Sequence, residues 1–263
     1  MGRKYGQHFL SNPSILERIA TAACPDGPET ELVIEIGPGR GALTEHLLKR
    51  ARRVVAVEID TVLVHYLQNK FRDFPNLTIL HQDVLKADLS AYGPAVIAGN
   101  LPYYITSPIL DRVFAAGGSW QRAVFLVQKE VAERVTAGPG SRDYGYLSVQ
   151  TRLFSEPHIL FPVSRGSFRP PPKVESAVFE LVPHAAPSVR DTKAFLRFAS
   201  ACFRQKRKTL RNNLLAAYEK DAVDALPQAG TRAEQLSVEE LAAIWIQLAG
   251  REIAQGHRAE VES

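Results

Sequence analysis

Cysteine is almost missing from this chain: Cys24 and Cys202 are the two it has in 263 residues. They stand far apart and without partners at metal-ligand spacing, which excludes a disulfide framework and a zinc site and points to a reduced compartment. No stretch approaches the roughly eighteen apolar residues of a membrane helix. The N-terminus lacks the apolar core of a secretory signal. Neither charge sign dominates, with 32 Lys and Arg against 28 Asp and Glu, a net +4 that leans mildly toward a polyanionic partner. These absences predict a soluble, cytoplasmic protein with no metal and no membrane partner. The make-up that remains, 45% apolar and 23% charged, is ordinary for globular chains, and the length allows one large core with a small satellite domain.

The dinucleotide spacing Gly-x-Gly-x-x-Gly is missing too. In its place the apolar run Leu32–Ile36 breaks into Gly37-Pro38-Gly39-Arg40-Gly41, and Ala42–Leu48 then carries apolar residues at helical spacing. Strand, glycine turn and helix follow in that order, and the turn suits an uncharged or zwitterionic ligand tail better than a pyrophosphate. The run Val54–Val57 ends in Glu58-Ile59-Asp60 about twenty residues on, where an acid takes ribose hydroxyls. That acid fits NAD and S-adenosylmethionine equally. Leu77–Leu80 ends near Asp83, placed to accept from an adenine amino group. Ala95–Gly99 ends in Asn100. Successive strands thus deliver polar residues at their carboxyl ends, where open α/β sheets bind ligands.

The tetrapeptide Asn100-Leu101-Pro102-Tyr103 gathers an amide acceptor, a backbone carbonyl stiffened by proline, and an aromatic ring. An exocyclic base amine has two N–H donors and a lone pair delocalised into its ring. Acceptors that hold the donors turn the nitrogen toward a tetrahedral shape and free the lone pair to attack. Methylation of a base amine is the chemistry that this set of groups serves.

Further along, Ser107 is predicted to cap a helix with Pro108 at its first position, as Asn12 and Pro13 do for a helix over 15–22. Strands are predicted over 123–127, 158–163 and 176–182, a loop over 137–145 and a helix over 147–154. Beyond Pro183 the pattern turns helical, over 192–204, 208–217 and 238–248. The predicted domains are therefore 1–183 and 184–263.

The segments Glu35–Thr44, Gly99–Tyr103 and Phe168-Arg169-Pro170-Pro171-Pro172-Lys173-Val174 resemble those of the ribosomal RNA adenine N6,N6-dimethyltransferases, within which the bacterial small-subunit branch is most similar. Gly6–Leu10 and Phe203–Leu210 extend the resemblance over nearly the whole chain. It implies an α/β fold of the class I S-adenosylmethionine methyltransferases, Rossmann-like with a seven-stranded sheet and a final antiparallel pairing, plus a small all-α C-terminal domain. It further implies dimethylation of two adjacent adenosines in the 3′-terminal hairpin loop of 16S rRNA, late in small-subunit assembly. Immature 30S particles would be the partner and a monomer the working form.

By the same resemblance Asn100 and the Leu101 or Pro102 carbonyl grip the target amine, Tyr103 stacks on one face of the adenine, and Phe168 stacks on the other. The S-adenosylmethionine set is His8, Leu10, Gly37, Gly39, Glu58, Ile59, Asp83, Val84 and Asn100. His8 departs from the Asn common in the Gln-x-Phe-Leu box and makes that contact sensitive to protonation. RNA contact is assigned to Arg204, Lys206, Arg207, Lys208 and Arg211, the first, fourth and fifth of them on one helical face, with Arg3 and Lys4 adding to the field. A large-subunit methyltransferase of the antibiotic-resistance type and a non-catalytic assembly factor stand as alternatives. A nicotinamide oxidoreductase fails on the glycine spacing.

Overall fold

The computed structural model describes residues 8–102, 105–184, 189 and 191–252. Its strands are β1 (Phe9–Leu10), β2 (Thr30–Ile36), β3 (Ala51–Glu58), β4 (Leu77–His81), β5 (Ala95–Asn100), β6 (Trp120–Gln128), β7 (Ser155–Val163), β8 (Phe168–Arg169) and β9 (Ser176–Pro183). Its helices are α1 (Pro13–Ala23), α2 (Ala42–Leu47), α3 (Thr61–Lys70), α4 (Thr106–Ala115), α5 (Lys129–Thr136), α6 (Tyr146–Phe154), α7 (Thr192–Cys202), α8 (Leu210–Leu214), α9 (Lys220–Asp224) and α10 (Val238–Gln247).

A seven-stranded sheet runs in the order β4-β3-β2-β5-β6-β9-β7. The pairings from β4 through β6 are parallel, and β9 runs antiparallel between β6 and β7. The central strands read as nearly unbroken apolar runs because helices cover both faces of a parallel sheet; Val33, Ile34, Val54, Ala56 and Ala98 are all fully buried. After β4 the chain returns to the far side of β2 to lay down β5, so the order reverses between those two strands. Open α/β sheets bind ligands at such a reversal, outside the carboxyl ends of the strands.

Gly99 lets the two strands meet there. A Cβ on it would stand 2.5 Å from the Ile36 carbonyl oxygen, a backbone atom that cannot swing aside. Gly99→Ala is expected to cost about 1–3 kcal/mol, the usual range for overpacking, which a thermal melt reads directly.

Asn12 caps α1 as predicted, its side chain accepting from the Ser14 and Ile15 amides with Pro13 opening the helix. The start of α4 differs from the predicted Ser107–Pro108 pair. The Pro102 carbonyl accepts from Ile105 N at 3.2 Å, and the helix begins at Thr106 without a side-chain cap. Pro108 still lies in the first turn, where its missing N–H costs nothing.

A two-stranded ladder not expected from the sequence joins β1 to β8, pairing Phe9 with Arg169 and Leu10 with Phe168. Residues directly opposite in such a pair project to the same face. Leu10 and Phe168 enter the core, at 5% and 0% exposure, while Arg169 is exposed on the other side.

The chain divides into two compact units, residues 1–136 with 154–185, and 137–153 with 186–263. Segment 137–153, which the sequence-based boundary kept in the first domain, belongs to the second unit. Apart from an isolated antiparallel bridge between Tyr218 and Glu252, that unit is helix and turn among its described residues, built on Phe195, Phe198, Leu210, Leu214 and Ile244. Phe195 meets Trp245, and Phe198 meets Tyr218, edge to face. The helices that flank the basic segment are shorter than the predicted 192–204 and 208–217: α7 ends at Cys202, residues 203–209 form a turn, and α8 covers Leu210–Leu214. Among the described residues no helix is long and apolar enough to cross a membrane, and no His, Cys, Asp or Glu cluster could hold a metal ion.

Candidate active site

A cavity of about 1150 Å³ lies at the carboxyl ends of β2, β3, β4 and β5. His8, Leu10, Gly37, Gly39, Glu58, Ile59, Asp83, Val84 and Asn100, predicted from scattered segments, all line it, as do Leu101 and Pro102. Tyr103 lies outside the described residues, as do Arg3 and Lys4.

The glycine turn follows from its sequence. Gly37, Gly39 and Gly41 have φ of +66°, +59° and +75°, a region side chains avoid. No atom lies within 4 Å of where a Cβ on Gly37 would point, so the bare backbone faces open space. Glu58 ties this turn to the end of β3. Its Oε2 accepts from Gly39 N at 3.1 Å, and its Oε1 from Ile59 N and Asp60 N at 2.9 and 3.0 Å. Burial pushes the Glu58 carboxyl above its ordinary range, against the pull of those N–H groups. Asp83 is similarly posed, its Oδ1 taking Leu85 N at 2.9 Å.

Glu35, the acid just before the glycines, also lines the cavity, a role unassigned from the sequence although it interrupts an apolar strand. It is 2% exposed and accepts from Thr44 Oγ1 at 2.6 Å. Burial, opposed by that bond and aided by the negative charge of Glu58, pushes its pKa up from 4.5 to about 7. A raised native pKa means the folded state holds the proton more tightly than the unfolded chain. The resulting stability is fully present below pH 4.5 and is lost as pH rises to about 7. Glu35→Gln is expected to flatten that part of the melting-temperature profile, leaving the slopes from other groups.

Asn100 closes the constellation at the end of β5. Its Nδ2 donates to the His8 carbonyl at 3.1 Å, and since a carbonyl only accepts, this bond fixes which end of the amide is Oδ1. The Leu101 amide continues the sheet by donating to Leu126 O at 3.0 Å. The Pro102 carbonyl is used by the turn into α4. Of the two backbone acceptors left open by the sequence, Leu101 O is therefore the better placed to take a ligand donor. The His8 ring donates through Nδ1 to Pro170 O at 2.9 Å, which ties β1 to the proline-rich segment.

Phe168 differs from its predicted place against a base. Its ring is fully buried with Leu10, Leu16 and Val163, and it does not line the cavity. The two-residue alternation of β8 is the cause: one position must face the core, and Arg169 takes the side toward the cavity.

The basic cluster also departs from the single helical face expected for Arg204, Lys208 and Arg211. Residues 204–208 are an exposed turn stapled by Asn213, a residue the sequence did not single out. Asn213 Nδ2 donates to the Cys202 and Gln205 carbonyls at 2.8 and 3.2 Å, and its Oδ1 accepts from Gln205 N at 3.0 Å. Lys206 Nζ donates to the Arg142 carbonyl. Arg211 is paired with Asp224 at 2.6 Å instead of standing free. Arg211→Ala is expected to cost little, as exposed surface pairs do, and Asn213→Ala more, because it orphans backbone groups of Cys202 and Gln205 at about 1–3 kcal/mol. Urea unfolding of the two variants ranks them.

Strand order, glycine turn, acid-tipped strands and the Asn-Leu-Pro end of β5 define a class I S-adenosylmethionine-dependent methyltransferase. Solved structures agree over nearly the full length. A dimethyladenosine transferase from Plasmodium falciparum superposes with a TM-score of 0.81 at 25% identity, covering 93% of this chain and 99% of that one. The 23S rRNA methyltransferase ErmE gives 0.72 at 29%, covering 91% and 99%. With residues 1–249 matching its model, the chain belongs to the ribosomal RNA adenine dimethylase family. A relative from Acidobacterium capsulatum, a ribosomal RNA small subunit methyltransferase A, is 44% identical over 94% of this chain and 91% of its own.

Proposed function

We propose that the chain dimethylates the N6 amino groups of two adjacent adenosines in the 3′-terminal hairpin loop of 16S rRNA. It works as a cytoplasmic monomer on immature 30S particles, late in their assembly. The observation that carries the reading is the Asn100 amide, set by the His8 carbonyl and lying beside the Leu101 carbonyl on the wall of a cavity that also contains the glycine turn. Support for the small subunit comes from the relative at 44% identity, against 29% for the large-subunit structure.

The cavity fits S-adenosylmethionine. Glycine backbone open to it suits a zwitterionic tail, Glu58 sits at the end of β3 for a ribose, and Asp83 with Val84 borders the space for a flat heterocycle. When bound, it supplies a methyl group on a positively charged sulfur, already activated for transfer.

The chain's own work is alignment and exclusion of water. Asn100 Oδ1 accepts one N6 proton and Leu101 O the other, which turns the nitrogen lone pair out of the ring plane. Pro102 keeps that carbonyl in place. No side chain has to act as base, because a nitrogen carrying the new methyl and its original protons is strongly acidic and sheds one unaided. Tyr103 supplies the stacking face. The exposed turn over 204–208 holds RNA phosphates, with Arg211 bracing the helix behind it.

Labelled S-adenosylmethionine offered with undermethylated small subunits, and separately with large subunits, tests the proposal. Dimethyladenosine in the small-subunit RNA is expected. Label confined to the large subunit, or tight subunit binding without label, would overturn it.

A further inference from the structure

Cations at the cavity rim are distributed unevenly between paired and unpaired. Lys70 is neutralised by Glu45 at 2.6 Å. Away from the rim, Arg50, Arg52 and Arg122 are paired with Glu17, Glu29 and Glu180. Arg40 and Arg169 line the cavity, are exposed, and form no ion pair among the described residues. They are nevertheless held in place. The Arg40 guanidinium lies 4.9 Å from the centre of the Phe9 ring. Phe9 is the residue opposite Arg169 in the β1–β8 ladder, so the two side chains leave the same face. Arg169 Nη1 donates to the Gly166 and Phe168 carbonyls at 3.1 and 3.0 Å, bonds that anchor the guanidinium without cancelling its charge.

Two anchored, uncompensated guanidinium groups around an aromatic ring suit an incoming polyanion. Arg reads phosphate through paired N–H donors and tolerates stacking on a ring. Of the carboxylates that line the cavity, Glu35 and Glu58 are buried and bonded to donors, Asp83 accepts from Leu85 N, and Glu45 is paired with Lys70. An adenosine that enters the cavity from an RNA chain cannot leave its neighbours behind, since it is joined on both sides to phosphodiesters, and those must come to rest at the rim.

We propose that Arg40 and Arg169 grip the phosphodiesters flanking the target adenosine, with Phe9 holding Arg40 in its docking position. This rests on the RNA-methylating reading above and adds to it a second RNA contact, in the catalytic unit and separate from the turn over 204–208. The ligand is the backbone of unpaired RNA, recognised by charge rather than by base sequence. The two arginines act as positioning residues: they fix where the strand lies, and the chemistry stays with Asn100 and Leu101.

The test is a salt series of equilibrium binding to a synthetic RNA hairpin with two adjacent loop adenosines, for the wild type, Arg40→Gln, Arg169→Gln, the double variant, and Arg40→Lys with Arg169→Lys. Affinity for S-adenosylmethionine is measured by calorimetry on the same proteins, and melting confirms that each is folded. Each Gln change is expected to lower the slope of log affinity against log salt by about 0.7, the figure for one phosphate on a single strand. The double variant should bind several-fold more weakly, the Lys versions should recover the slope, and cofactor affinity should not change. An unaltered slope in the double variant would overturn the proposal. So would a loss of cofactor affinity with the slope intact, which would assign the cations to the cofactor's carboxylate. A wild type that binds the hairpin and the 30S particle but methylates neither would sink the reading of the reaction, while the slopes would still decide the rim.

Discussion

Asn100→Ala should slow methyl transfer about 10²–10³-fold, the range seen when one preorganised hydrogen-bonding group is removed from a reacting centre. The fold should survive, because the side chain is only half-buried and its hydrogen bond among the described residues is the one to the His8 carbonyl. The loss should fall mainly on kcat, since Oδ1 is asked to hold the amine in the shape it adopts as the lone pair attacks, with a smaller rise in KM for the methyl donor that Asn100 also borders. Asn100→Asp separates the two ends of the amide. It keeps an acceptor oxygen but sets a carboxylate against the His8 carbonyl, which accepts from Nδ2 in the native chain. It should therefore be impaired as well. Full activity in Asn100→Asp would show that the bond to His8 orients nothing.

Phe168→Ala should destabilise the protein by about 3–5 kcal/mol, the cost of emptying a buried aromatic site. The ring is fully buried in the cluster that joins β1 and β8 to α1 and the sheet. Phe168→Leu should cost less and, assayed well below its melting temperature, should methylate at close to the native rate. A ring that stacked on the substrate base would give the opposite pattern, with Phe168→Leu folded and inactive. Chemical unfolding and single-turnover transfer on the same two proteins decide between them.

These two residues also mark where the sequence could be read and where it could not. The ends of β2, β3 and β5 were legible because each combines a β-branched run with an abrupt stop, a glycine turn after β2 and a polar residue at the end of β3 and β5, a pattern set by local chemistry. The cap at Asn12 was legible for the same reason. Phe168 was misplaced because its orientation depends on a two-residue ladder with β1, more than 150 positions away in the chain, and one step of register reverses which side chain faces the core. Arg211 was misread because its partner Asp224 sits on a separate short helix. Arg204, Lys208 and Arg211 have the spacing of one helical face, yet a turn over 203–209 separates the helices there, because the Asn213 side chain that folds it lies in the next element. Glu35 went unassigned because an acid inside an apolar strand gives no local sign of what it faces.

The most direct measurement is a crystal structure with S-adenosylhomocysteine and adenosine bound together. The expected result places the adenosine N6 within hydrogen-bonding distance of Asn100 Oδ1 and Leu101 O, with the sulfur in line behind it and the cofactor's ribose at Glu58. An N6 turned away from Asn100, or a cofactor lying outside the cavity between the glycine turn and β5, would contradict the mechanism.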